Sequence, residues 1–476
     1  MDSVEVRHGT YHDSVRLMQA SRALQQAQGV EEALVAMATD LNRELLAGMG
    51  FDVDTIGGAG PNDLIVAVRA ADEQAVAHAR ETLEAALVVR AGNESGMLAA
   101  PPSHVVGSAA RGATLALISV PGEYAFVEAM DALEHGLDVM VFSDNVPIAQ
   151  EVLLKQAAAR LGLLVMGPDC GTSIVNGVGL GFANVVASGP VGVVGAAGTG
   201  IQQICSLLDD AGVGVRNALG TGSHDLSIEV GGSSTLRGLA ALDADPSTEV
   251  LVVVSKPPAA EVAAKVRAAA ARCKTPTVVA YLGEAGVTLE GAVGQALALL
   301  GRAAPVYASW PAPSDDHRPG VLRGLFSGGS LSSEAARLAA ATLGVVGQDE
   351  KGWGGHTVVD YGEDEYTRGR AHPMIDQRLR LQRLEAAGRD QQVGVVLLDV
   401  VLGYGAHPDP ASELAPVISR ATAAGAAVVV SLCGTKGDPQ DRDRQALHLN
   451  EAGASVWLSN AAAAGHAISL IEGGGR

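Results

Sequence analysis

Aromatic residues make up only 3% of this 476-residue chain, and Lys and Arg are outnumbered 33 to 53 by Asp and Glu, for a formal charge of −20. The first shortage removes the stacking platforms of a base-binding protein. The second removes the electrostatic footprint that a nucleic acid or an anionic membrane surface requires. An anionic substrate therefore has to be held locally, by backbone amides and a few chosen cations. Cysteine is scarce too: Cys170, Cys205, Cys273 and Cys433 stand apart, without CxxC spacing. That scatter points to reduced thiols rather than to disulfides or a zinc site, and no metal is expected. The amino terminus carries charges where an export signal needs an apolar core, so a cytoplasmic location is expected. The stretch 171–208 holds no charged residue, yet glycines, Pro190, Asn176 and Asn184 interrupt it. It reads as strand, turn and loop rather than as a membrane span.

What is present is one pattern stated twice. Gly189–Gly283 and Pro319–Gly434 each run strand, glycine-rich turn, helix, connecting segment, apolar strand, helix, apolar strand. The first copy opens with Val191–Val194, turns at Gly195-Ala-Ala-Gly-Thr-Gly200 and has later strands at Glu249–Ser255 and Thr277–Leu282. The second opens with Val321–Phe326, turns at Ser327-Gly-Gly-Ser-Leu-Ser-Ser333 and has later strands at Val393–Val400 and Ala427–Leu432. Units of this length bury their own parallel sheet, so they are duplicated modules rather than solenoid repeats. Each glycine turn opens a helix whose free N–H groups and positive dipole end suit an anion. If the copies face each other, the two ends converge on one phosphate.

The remaining chain divides before these modules. Residues 1–100 read as a small α+β domain: a short strand at Val4–Arg7, helical spacing at Val15–Gln28 and Glu31–Met37, a strand at Asp63–Val68 and a helix at Asp72–Leu87. Asp13 or Ser14 suits a helix N-cap. Residues 101–188 alternate Val/Leu/Ile-rich strands at Leu115–Val120, Val139–Ser143 and Leu163–Met166 with helices at Glu123–His135 and Ile148–Leu161, a parallel sheet with covered faces. Modules at 189–318 and 319–476 complete the division. The fold class is α/β: a partial Rossmann, CoA-binding-like domain plus two flavodoxin-like modules, preceded by the small α+β domain.

Gly167-Pro-Asp-Cys-Gly171, the first glycine turn, Gly220-Thr-Gly-Ser-His-Asp225 and Asp245-Pro-Ser-Thr-Glu-Val-Leu251 resemble the alpha subunit of succinyl-CoA synthetase. Val396-Leu-Leu-Asp-Val400 and Ser431-Leu-Cys-Gly-Thr435 resemble the carboxyl-terminal domain of its beta subunit. The joined arrangement, with Thr10-Tyr-His-Asp-Ser14, Gly369-Arg-Ala-His-Pro-Met-Ile-Asp376 and Leu398-Asp-Val-Val-Leu-Gly-Tyr-Gly-Ala-His-Pro-Asp409, resembles the FdrA family over almost the whole chain. Two departures limit what is inherited. The synthetases carry a phosphorylated histidine in a Gly-His-Ala-Gly loop, whereas Tyr281-Leu-Gly-Glu-Ala-Gly-Val-Thr-Leu-Glu290 has none, so their phosphoryl relay has no nucleophile here. The domain at 1–100 replaces the first half of the CoA-binding domain, so CoA binding is not carried over. The FdrA resemblance implies instead a subunit of oxamate carbamoyltransferase, acting with two further subunits and using phosphate or carbamoyl phosphate as co-substrate, with no other cofactor required. The reaction interconverts oxalurate plus phosphate and oxamate plus carbamoyl phosphate, in allantoin nitrogen breakdown. An acyl-CoA synthetase and a non-catalytic scaffold subunit are the competing expectations.

That chemistry needs an anion cradle, a charge for the carbonyl oxygen and a proton manager. The amides of Gly198, Thr199 and Gly200 and of Gly328, Gly329 and Ser330 are the cradle candidates; the plainer reading is two ordinary strand-to-helix turns. Arg368, Arg370 and His372 concentrate positive charge for a carboxylate or phosphate, or else balance Glu363, Asp364 and Glu365. Asp399 lies inside an apolar strand, where a lone carboxylate costs several kcal/mol, so it needs a backbone amide, an arginine or His407 as partner. His407 follows that strand and suits a neutral-pH proton shuttle, or a simple turn hydrogen bond. Cys170 lacks an obvious paired base and reads as packing, and His224 with Asp225 is weaker than His407 as an acid–base candidate.

Overall fold

The computed structural model describes residues 1–10, 12, 14–60, 62–87, 111–313, 317–350, 354–367 and 371–472. They divide into two compact units, one built mainly on 1–104 and the other on the rest of the chain.

In the first unit the central strand Leu64–Ala70 pairs antiparallel with Asp2–Arg7 on one side and Val30–Met37 on the other. Alternation decides what each face buries. Leu64, Val66 and Val68 meet Leu17, Ala20 and Leu24 of helix Ser14–Gln25 and Ala79 and Leu83 of helix Glu73–Leu87. Ile65 and Ala67 point the other way, onto Leu46, Phe51 and Ile56. The helical spacing at Glu31–Met37 is overturned: this segment is strand. Ala33, Val35 and Met37 are buried in the helix-side core while Leu34 packs on the opposite cluster. That period of two, with β-branched Val30 and Val35, outweighs the i, i+3, i+4 coincidence of its apolar residues.

The second unit begins with the parallel strands Leu115–Ile118, Asp138–Val141 and Val165–Met166, with helices Gly122–Glu134 and Ile148–Leu161 between them. The hairpin Thr172–Val175 and Val178–Gly181 then joins the next sheet, pairing with Val215–Gly220. The two modules repeat one topology. In the first, parallel strands stand in the order Thr277–Tyr281, Val250–Ser255, Val191–Ala196, Val215–Gly220; in the second, Ala427–Cys433, Val393–Val401, Val321–Phe326, His356–Asp360. In each, the helix following the glycine turn, Gly198–Asp210 or Gly329–Leu343, follows the carboxyl end of the third strand in that order.

Those two helices pack on each other, and matched residues on them cross between modules. Gln203 Nε2 donates to Leu458 O at 3.0 Å, just ahead of helix Asn460–Glu472. Glu334, in the same position on its own helix, accepts from Leu289 N at 2.6 Å and Asn460 Nδ2 at 2.7 Å. It thereby satisfies the free amino end of helix Leu289–Leu299. Replacing Glu334 with Ala leaves those donors buried without an acceptor and is expected to lower unfolding free energy by about 1–3 kcal/mol, read from urea denaturation; an unchanged midpoint would exclude this cross-module cap.

Candidate functional site

The duplicated turns meet. Ser330 N donates to Thr199 Oγ1 at 3.3 Å, and a β-carbon added to Gly328 would lie 2.7 Å from Thr199 Cγ2. One added to Gly200 would lie 3.3 Å from Ser330 Cβ. Glycine is needed at 328 because the backbone of one turn lies against the side chain of the other. Within each turn the residue that opens toward solvent is the matched glycine, Gly198 or Gly329, while Thr199, Gly200, Gly328 and Ser330 are buried.

The two helix ends differ in what already occupies them. Asp399, fully buried on strand Val393–Val401, turns its carboxylate onto the second turn, accepting from Ser327 N at 2.8 Å, Ser327 Oγ at 2.9 Å and Gly328 N at 2.8 Å. Arg380, also buried, faces the same carboxylate at 3.1 Å and donates to the Asp399 carbonyl oxygen. Burial pushes the Asp399 carboxyl up, against the pull of Arg380 and the turn donors. The first turn has no such carboxylate: the residue ahead of its helix is Ala197, with no side-chain cap. The amides that no carboxylate meets are therefore those of the first turn, and the positions facing outward are Gly198 and Gly329.

Over Gly329 stand two residues that strand-end position alone did not single out. A β-carbon there would clash with Lys256 Nζ and lie 2.5 Å from Asp360 Oδ2. Lys256 follows strand Val250–Ser255 of the first module, Asp360 ends strand His356–Asp360 of the second, and their charged atoms are 4.0 Å apart. Asp360 is only 8% exposed; burial raises its carboxyl to about 6, with Lys256 and the Gly362 amide opposing. His372 lies beside it: a β-carbon on Gly362 would be 2.9 Å from His372 Nε2 and 3.0 Å from Asp360 Oδ1. Burial, then the Arg380 charge, lowers the His372 imidazole to about 4, so at neutral pH it contributes a hydrogen-bonding ring, not a cation. Its Nδ1 accepts from Met374 N at 3.2 Å, which leaves the proton of the neutral ring on Nε2.

His407 is not brought to Asp399. Its Nδ1 accepts from Asp409 N at 2.9 Å and its Nε2 faces Glu413 Oε1 at 3.6 Å, so it serves the turn into helix Pro410–Ala423. Asp399 found its partners in the amides and an arginine, and its buried carboxylate fixes the turn instead of meeting open space. Arg368 and Arg370 lie outside the described residues, as does Asp13. The Cys170 thiol is buried against Gly220 O at 3.3 Å and Ser173 Oγ at 3.4 Å, and burial raises it to about 11, far from a thiolate nucleophile. Asp225 is buried in a tie with Lys155, which also holds Glu151, each at 2.7 Å.

The uncharacterized protein YahF of Escherichia coli strain K12 is 35% identical over 96% of both chains. The chain belongs to the FdrA-like family. Residues 325–470 of this FdrA-like chain match the CoA-ligase family, and residues 1–101 match the heavy metal-associated domain of AllF. The alpha subunit of the ADP-forming succinate–CoA ligase of Methanothermobacter thermautotrophicus is 26% identical over 29% of the chain, which spans about half the length of that relative. An acetyl-coenzyme A synthetase of Ca. Korarchaeum cryptofilum superposes at a TM-score of 0.31, with 15% identity over 76% of this chain and 82% of its own. The amino-terminal match names a metal, but its residues do not fit a thiolate site. The first cysteine of the sequence is Cys170, and the described residues contain no cluster of three or more His, Cys, Asp or Glu able to hold an ion.

Asp399 supplies a direct check of the turn. Asp399→Ala strands Arg380 and the Ser327 and Gly328 donors, and is expected to destabilise the protein by about 3–5 kcal/mol, measured by chemical denaturation. A loss below about 1 kcal/mol, the range of surface pairs, would show that the carboxylate does not hold the turn.

Proposed function

We propose that this FdrA-like chain is a subunit of a carbamoyltransferase, interconverting oxalurate plus phosphate and oxamate plus carbamoyl phosphate together with partner subunits. The observation that carries this reading is the junction of the two glycine turns under Lys256, with no histidine in the loop between Tyr281 and Leu289. Two helix amino ends and an ammonium suit a phosphate, and loss of the phosphorylated residue suits a transfer in which phosphate itself attacks carbon.

In this reading the phosphate rests on the amides of Gly198, Thr199, Gly200 and Gly329, with Lys256 as counter-charge. Fixed donors and a cation placed where charge develops cost no reorganisation during the reaction. The neutral His372, a hydrogen-bond donor beside Asp360, faces the oxamate carboxylate; the charge of Arg368 and Arg370 in the sequence suits the same anion. The Thr199 hydroxyl already accepts from Ser330 N, so its own proton is free to turn toward a phosphate oxygen.

The CoA-ligase match of residues 325–470 favours one other reading, an acid–thiol ligase. The two part in solution. The chain with its partner subunits, given carbamoyl phosphate and oxamate, is expected to release phosphate and form oxalurate in equal amounts without CoA. Isotope exchange that needs ATP and CoA, with no oxalurate, would replace the carbamoyl reading by the ligase one. Lys256→Ala is expected to raise the KM for phosphate about tenfold or more, the cost of one charge-assisted contact; an unchanged KM would remove Lys256 from the cradle.

A further inference from the structure

Carbamoyl transfer leaves a proton to be moved. When a phosphate hydroxyl oxygen attacks the carbamoyl carbon of oxalurate, a C–O bond forms and the C–N bond to the oxamate nitrogen breaks. The proton of that hydroxyl must leave as the oxygen bonds to carbon, and the departing nitrogen must gain one to become the oxamate amide. A single group that takes the first and returns it to the second closes the balance with no net proton exchanged. The sequence suggested His407 for this work, but its Nδ1 already accepts from Asp409 N and its Nε2 faces Glu413 Oε1 at 3.6 Å.

We propose that Asp360, presented by the second module and faced by Lys256 of the first, is the group that carries this proton; the assignment rests on the carbamoyl reading above. Asp360 ends a strand at the carboxyl edge of its sheet, where open α/β folds place ligands. Its Oδ1 is held by Gly362 N at 2.9 Å. Its Oδ2 projects over Gly329, and among the described residues no hydrogen bond reaches it; its nearest charged neighbour is Lys256 Nζ at 4.0 Å. One oxygen anchored and the other aimed at the open amides is the arrangement a proton carrier needs. The groups that set its charge are Lys256, which favours the carboxylate, and Glu363 and Asp399, which oppose it. Arg380 is attracted to it, and His372 stands across Gly362 as a neutral ring. Together with burial they place it at about 6, so at neutral pH the carboxylate is available as base and is easily reprotonated.

The base form is lost as pH falls through about 6, so turnover falls there. An anion in the cradle meets a second negative charge as pH rises through the same value, so its binding weakens. Lys256→Met removes the ammonium that stabilises the carboxylate and moves both limbs to higher pH.

Sulfate, a dianion throughout the range, separates binding from chemistry. Titrated into the protein between about pH 5 and 8, it is expected to bind the wild type more weakly as pH rises, and to bind Asp360→Asn with no such dependence. In the reconstituted complex Asp360→Asn is expected to lower oxalurate formation by about 10²–10⁴-fold, with thermal unfolding unchanged. Equal sulfate profiles in the two proteins, or turnover of the variant within about threefold of wild type, would overturn the role of Asp360. Failure of the wild-type complex to make oxalurate, with the sulfate difference intact, would instead overturn carbamoyl transfer and leave Asp360 at the anion site.

Discussion

Two helix amino ends, each carrying a partial positive charge, are pressed against each other where the modules join. Everything at the site follows from how that repulsion is relieved. Each end is equivalent to about half a positive charge, and burial keeps water from screening the pair. On the second module the relief is internal: Asp399 lies on the Ser327 and Gly328 amides with Arg380 behind it. On the first, the helix opens from Ala197 without a side-chain cap. One end is neutralised by the fold and the other carries no side-chain cap, which is why a symmetric duplication produces an asymmetric junction.

The close approach depends on small residues. Gly328 admits Thr199, and Gly200 admits Ser330, at distances no side chain would tolerate or would tolerate only with movement. Behind this contact Gln203 and Glu334 tie each module to the amino end of the other module's last helix. Asp438 adds a third tie, accepting from Val185 N at 2.7 Å and Asn184 Nδ2 at 2.8 Å. These ties join the two modules, and the chain just ahead of the first, by hydrogen bonds beyond the contact of the glycine turns themselves. A preorganised cradle of this kind is what electrostatic catalysis requires.

The modules were legible because glycine turns and apolar strands recur in the same order, and because a carboxylate inside a Val- and Leu-rich strand, Asp399, demanded a cap. The partners of Asp399 were among those such burial calls for, an amide and an arginine. Lys256 and Asp360 were not legible. Each is a single charged residue at the end of an apolar strand, like many that merely face water, and only folding brings the two modules' strand ends together over Gly329. His407 shows the converse: a histidine after a buried strand has the chemistry of a proton carrier, but the Asp409 amide of its own turn takes the Nδ1. Glu31–Met37 reads as a helix because Ala33, Leu34 and Met37 satisfy helical spacing, while the partner that makes it strand, Leu64–Ala70, is distant in sequence.

The decisive question is whether the uncapped amino end of helix Gly198–Asp210, with Gly329 and Lys256 beside it, holds a phosphate. A crystal structure of the protein grown in phosphate tests it most directly. Tetrahedral density is expected at the amino end of helix Gly198–Asp210, within hydrogen-bond reach of the Gly198, Thr199 and Gly329 amides and of Lys256 Nζ. Phosphate bound elsewhere on the chain, with both turns empty, would contradict it.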